Sequence, residues 1–154
     1  MNVLIVLIVS FGIAAGLFKM TGGNYRFVKA GSIALSAMLL FTSMGHFLYA
    51  KGMSMMLPEF LPYKIELVYF TGILEIAAAI GLQITKFRRL TALLLVVFFV
   101  VILPANIQAS LNHIDIYEAN YQGPGVDYLW FRVPLQLVLI AWAYGLFMNQ
   151  TKWI

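Results

Sequence analysis

The sequence predicts an all-α membrane protein, and three observations predict it. Hydrophobic residues make up 62% of the chain and charged residues only 10%, where soluble domains carry roughly 25% charged residues. The mean hydropathy is +0.90. The apolar residues gather into five runs, each near the length of about 20 residues that carries a helix across a bilayer. In 154 residues there is too little polar surface to cover such a core in water, so lipid is the natural solvent. The whole chain, 1–154, reads as one transmembrane domain.

The first span covers residues 2–18. No basic segment precedes it, so it reads as a retained helix rather than a cleaved leader. Gly12 and Gly16 form a GxxxG spacing, a packing surface for a partner membrane protein or for a second copy in a homodimer. The second span, 30–50, places Ser32, Ser36, Ser43 and His46 on one helical face at 100° per residue. After it, "KGMSMMLPEFLPYK" (51–64) reads as a short amphipathic lid lying in the interface, bounded by Pro58 and Pro62. Met53, Met55 and Met56 are thioethers of the kind that bind Cu(I). No second methionine-rich loop accompanies them, and no metal site is expected.

The third span, 65–84, carries Glu75 on a face shared with Gly72, Ala79 and Gln83, a stripe that lets a neighbouring helix approach closely. The fourth, 90–110, breaks its apolar run with "LPANIQ". Pro104 frees a carbonyl near residue 100 and favours a kink that opens space beside Asn106. Asn106 shares a face with Phe99 and Leu103, whereas Gln108 points elsewhere. The fifth span, 129–148, carries Arg132 and Gln136 as an i,i+4 pair pointing the same way.

Basic residues set the orientation. Lys19, Arg26, Lys29, Lys86, Arg88, Arg89 and Lys152 lie on one side, and only Lys51 and Lys64 among the connections on the other. The N-terminus is therefore expected outside and the C-terminus in the cytoplasm. Tyr117, Tyr121, Tyr128 and Trp130 on the outer side and Trp153 on the inner side fit aromatic belts. The net charge of +4 is spent on orientation and is no sign of nucleic-acid binding. The absence of cysteine excludes disulfides, CxxC redox chemistry and thiolate-held clusters.

In that orientation His46, Asn106, Arg132 and Gln136 all fall in the outer half of the membrane, with Glu75 nearer the middle. Ionisable groups inside a membrane are costly and point to function. Glu75 and Arg132 could offset each other, by direct contact or through water and Gln136; the alternative is that Glu75 sits protonated, since burial disfavours the charged form. The reading assigns His46 and Glu75 to proton movement, and Asn106, Arg132 and Gln136 to ligand binding. Haem would need a second axial histidine, and His113 lies in the outer loop rather than on a facing helix.

The stretches "GHF" (45–47), "MLPEFLP" (56–62), "LVYFTGILEI" (67–76), "LPANI" (103–107) and "FRVPLQ" (131–136), over residues 30–146, resemble the DoxX-like membrane proteins. The resemblance implies a compact four-helix transmembrane bundle, with the first span added outside it, in a bacterial inner membrane. Some members of that family are associated with thiosulfate:quinone oxidoreduction or membrane redox complexes. The function expected is thus a polar small-molecule pocket in the outer half of the bundle, for a quinone or another lipid-soluble redox partner. As an enzyme, the chain would be a quinone-linked oxidoreductase component. The alternative is a non-enzymatic membrane subunit or scaffold whose polar cluster only fixes the bundle. Transport is a third reading, and the chain has neither an inverted repeat nor a broken helix pair to support it.

Overall fold

The computed structural model describes residues 2–22 and 26–149; Lys152 and Trp153 of the sequence reading lie outside them. The chain is helical. The elements are α1 (Asn2–Gly22), α2 (Phe27–Leu48), the short α3 (Ala50–Ser54), α4 (Lys64–Gln83), α5 (Arg88–Leu111), a 3-10 turn (Gly125–Tyr128) and α6 (Leu129–Met148). Five of these helices are long and apolar enough to cross a membrane, and each falls on one of the five apolar runs of the sequence. Their ends differ from the expected ones by up to four residues, since hydropathy marks the lipid-facing core and not the cap. Only α3 has no counterpart among the expected spans. It is the helical part of the segment read as a lid.

The helices pack mainly in pairs: α2 on α4, α5 on α6 and α1 on α2, with lighter seams between α4 and α5 and between α2 and α6. Lipid is as apolar as leucine, so close packing and interhelical hydrogen bonds rather than hydrophobic burial join such helices. Both are visible. Leu35, Met38 and Leu39 of α2 meet Leu82 of α4, Leu95 and Phe99 of α5 and Ala143 of α6 in one buried cluster. Ser36 of α2 donates to the Ala79 carbonyl of α4 at 2.9 Å, and Gln83 donates to the Ser36 hydroxyl at 2.7 Å. Trp142 of α6 donates to the Gly31 carbonyl of α2 at 3.1 Å. The residues facing outward are large and apolar, among them Ile8, Phe70, Ile80, Leu94 and Val101, as a lipid-facing surface requires.

Helix α1 rests on α2 through Ala14 and Ala15 against Ala30. Gly12 and Gly16 take no part, since a methyl group built on either would meet nothing within 4 Å. Helix α5 runs through Pro104 as one helix to Leu111. Met56 packs with Ala109 and Ile114, which seats the 51–56 segment on the end of α5. The loop from 112 to 124 is tied into a fixed shape. Asp115 N–H donates to the Asn120 carbonyl at 2.8 Å, Gly123 N–H to the His113 carbonyl, and Asp115 Oδ1 accepts from the N–H groups of Tyr117 and Glu118.

Candidate functional site

The polar residues inside the spans sort into three places. The first is the seam between α2 and α4. His46 Nε2 lies 3.5 Å from Glu75 Oε1, and the Thr42 hydroxyl donates to Glu75 Oε2 at 2.8 Å. On the far side of the imidazole, Nδ1 lies 3.0 Å from both the Val68 carbonyl and the Thr71 hydroxyl. A carbonyl only accepts, and the Thr71 hydroxyl itself donates to it at 2.8 Å, so the geometry puts a proton on Nδ1. That leaves Nε2 facing the carboxyl. One proton between them makes two neutral groups, and its transfer makes imidazolium and carboxylate.

Elementary helix geometry explains why these two side chains meet although Glu75 sits deeper. Cα–Cβ bonds lean toward the N-terminus of their own helix. Helices α2 and α4 pack side by side with the end of α2 beside the start of α4, so His46 leans inward and Glu75 leans outward. A Cβ built on Gly72 would stand 2.8 Å from His46 Cβ, which places the histidine opposite Gly72. Glu75 is one turn further, about 4.5 Å along the axis, a gap the imidazole spans. The glycine is what lets His46 come this close to α4.

The second place is the α5–α6 seam. Gln136, buried, donates from Nε2 to the Phe99 carbonyl at 2.7 Å, and Asn106 Nδ2 donates to Gln136 Oε1 at a longer 3.4 Å. The carbonyl so capped is next to that of Val100, which Pro104 leaves without its usual donor. Asn106 and Gln136 hold the proline-containing turn of α5 to α6.

The third place is the end of α5 and the start of α6. Arg132 lines a pocket of about 310 Å³ with Ser110, Asp115, Tyr117, Gly125 and Tyr128. Its guanidinium carbon lies 5.3 Å from the centre of the Tyr128 ring. Direct contact between Glu75 and Arg132 is not what the structure holds: among the described residues, no hydrogen bond or ion pair joins them, and Glu75 takes His46 and Thr42 instead. The reason is again the lean of side chains. Arg132 and Gln136 share a face, but Arg132 begins one turn nearer the start of α6 and leans further toward it.

Glu75 has a second aspect. It lies in the wall of a groove of about 450 Å³ between α4 and α5, with Leu74, Ala78, Leu94, Leu95, Phe98 and Val101 around it. Thr91 is the one other lining residue with a polar side chain. The groove follows the lighter α4–α5 seam, and the exposed Leu74, Leu94 and Val101 border it, so it opens toward lipid. Its volume is that of a small-molecule site, and an apolar wall with few convergent polar groups is the usual composition of one.

Thr42 and Thr71 were not singled out in the sequence. Their signal is spacing: each lies four residues before one of the pair, Thr42 before His46 and Thr71 before Glu75, and so shares its helical face. His113 lies in the 112–124 loop, exposed, with its ring where a Cβ on Gly125 would stand.

The model of a family described as a domain of unknown function, DUF8561, matches residues 35–147, well over half the chain, from within α2 to the end of α6. No curated protein matches, and no solved structure does.

Proposed function

The chain belongs to the DUF8561 family, whose description assigns no activity, and from the geometry of its polar groups we propose that it binds a lipid-soluble, oxygen-bearing small molecule of the quinone class in the α4–α5 groove. One observation carries the proposal: an intramembrane carboxyl, 3.5 Å from a histidine nitrogen, lies in the wall of an otherwise apolar groove that faces lipid. A ring with an aliphatic tail would enter sideways from the bilayer. Its carbonyl or hydroxyl would meet Glu75, and His46 would hold or return the proton. The electrons of any quinone reaction would come from or go to a partner redox protein, so the chain's own share is binding and proton exchange.

This reading keeps His46 and Glu75 as the proton-handling residues. Asn106 and Gln136 serve it indirectly, by holding the wall of the groove that α5 supplies. The architecture we propose around the site is a four-helix bundle of α2, α4, α5 and α6 with α1 outside it, the N-terminus outside and the C-terminus cytoplasmic, in a bacterial inner membrane. The DoxX-like resemblance belongs to the same proposal. A short-chain benzoquinone titrated into the purified protein tests it. The midpoint of thermal unfolding should rise with ligand for the parent and not for Glu75→Gln; equal shifts in both would sink the assignment of Glu75.

A second reading has support of its own. The bonds from Gln136 to Phe99 and from Gln83 to Ser36 are polar groups used purely to join helices. A subunit or scaffold would use Glu75 and His46 in the same way. It would lose stability in Glu75→Gln and His46→Gln, yet gain none from a quinone.

A further inference from the structure

We infer that the outer pocket around Arg132 is a separate binding site for a phosphate-type oxyanion, independent of the groove at Glu75. Arg132 sits in the first turn of α6, partly buried. Among the described residues, no carboxylate lies within ion-pair distance of it, and the Tyr128 ring is its close neighbour. Tyr128 engages only part of the five-donor guanidinium, and its remaining N–H groups can meet an oxyanion. Ser110, Tyr117 and Tyr128 line the same cavity of about 310 Å³; the Ser110 hydroxyl donates to the Asn106 carbonyl at 3.3 Å, so the two tyrosine hydroxyls are the nearby donors for further anion oxygens.

The pocket is built before any ligand arrives. Gly125, in its wall, has a φ of +69°, and the His113 ring occupies the space a Cβ would need; only glycine closes this turn. The Tyr117 ring is braced edge-on against Tyr49 at 4.9 Å between centroids. Asp115 also lines the pocket. Its Oδ1 is taken by the N–H groups of Tyr117 and Glu118, so the carboxylate shapes the loop while its charge opposes an anion. The adjoining Trp130 is 86% exposed, as an aromatic anchor at the membrane–water boundary is. At that level an oxyanion has two sources with one chemistry: the phosphate of a lipid headgroup, or free phosphate from the outer solution.

The test uses the full chain, delipidated in a non-ionic detergent and followed by thermal unfolding. The probes are inorganic phosphate, short-chain phosphatidylglycerol and short-chain diacylglycerol. Stabilisation by phosphatidylglycerol alone identifies a headgroup, and stabilisation by phosphate as well identifies a free oxyanion site. Either supports the inference if Arg132→Gln weakens the effect by about tenfold, the scale of a lost charge-assisted hydrogen bond. Asp115→Asn keeps the loop acceptor and removes the opposing charge, and should tighten phosphate or phosphatidylglycerol binding about two- to fivefold. The inference fails if no phosphate-bearing probe stabilises the parent more than diacylglycerol does, or if Arg132→Gln binds as the parent. Should Arg132→Gln not fold, unchanged binding in Asp115→Asn overturns it.

Discussion

Glu75 on α4 and His46 on α2 lie 3.5 Å apart, and each is held from its other side by a threonine of the same seam, Thr42 on the carboxyl and Thr71 on the imidazole. Four side chains from two helices thus form one polar chain inside an apolar bundle. Every member has a partner, which is the condition for a polar network to be tolerated in lipid.

The pair should behave as a coupled unit. In a double-mutant cycle of His46→Gln and Glu75→Gln, the two substitutions should be non-additive by about 0.5–2 kcal/mol, the range expected for a hydrogen-bonded pair between membrane helices. Chemical unfolding in mixed micelles measures it. Additive effects would mean that the 3.5 Å approach carries no energy.

Gly72 sets the spacing of that seam. A Cβ there would stand 2.8 Å from His46 Cβ and 3.3 Å from the Phe47 ring, so Gly72→Ala must push α2 off α4 and should cost about 1–3 kcal/mol, as overpacking does. Gly12→Ala is the control. Its Cβ meets nothing within 4 Å, and the change should stay within about 0.5 kcal/mol. Unfolding midpoints of the two variants in the same detergent decide between them.

The α5–α6 brace predicts a ranking. Gln136→Leu removes the 2.7 Å bond to the Phe99 carbonyl and should cost up to about 1.7 kcal/mol, the upper end for such bonds in membranes. Asn106→Leu loses only the 3.4 Å contact and should cost less. A reversed order in unfolding measurements would show that Asn106, not Gln136, secures the turn around Pro104.

Orientation is open to a direct test because the chain has no cysteine. Lys86, in the α4–α5 turn, and Glu118, in the 112–124 loop, are both exposed positions for single cysteines. In intact cells a membrane-impermeant maleimide should label the Glu118→Cys protein and not the Lys86→Cys protein. The opposite pattern would invert the proposed orientation.

The spans were legible because length and hydropathy alone decide which helices cross lipid. Glu75, His46, Gln136 and Arg132 were legible for the complementary reason: a polar side chain inside such a run is expensive and so conspicuous. Their partners were not. Depth counted along each helix put Glu75 with Arg132, whereas the lean of each Cβ toward its own N-terminus brings Glu75 to His46. Thr42 and Thr71 drew no notice because threonine is readily tolerated in membrane helices, where its hydroxyl bonds its own backbone. The Arg132 pocket is walled in part by Gly125, whose left-handed backbone lies near those of His113 and Ala119 in the chain, and alanine carries no sequence signal for that conformation. The groove at Glu75 arises from a light seam between α4 and α5, a property of pairs of helices that no single span displays.

The central claim is that a lipid-soluble molecule occupies that groove against Glu75. Native mass spectrometry of the protein purified in mild detergent, with bound molecules extracted and identified, tests it most directly when the parent is compared with Ala77→Trp. Ala77 lines the groove and is exposed, so the indole fills the space while the fold is retained within about 0.5 kcal/mol. The account predicts a stoichiometric quinone-class adduct on the parent and a bare mass for Ala77→Trp. A folded parent that carries no such molecule, or an adduct that persists at full occupancy in Ala77→Trp, would contradict it.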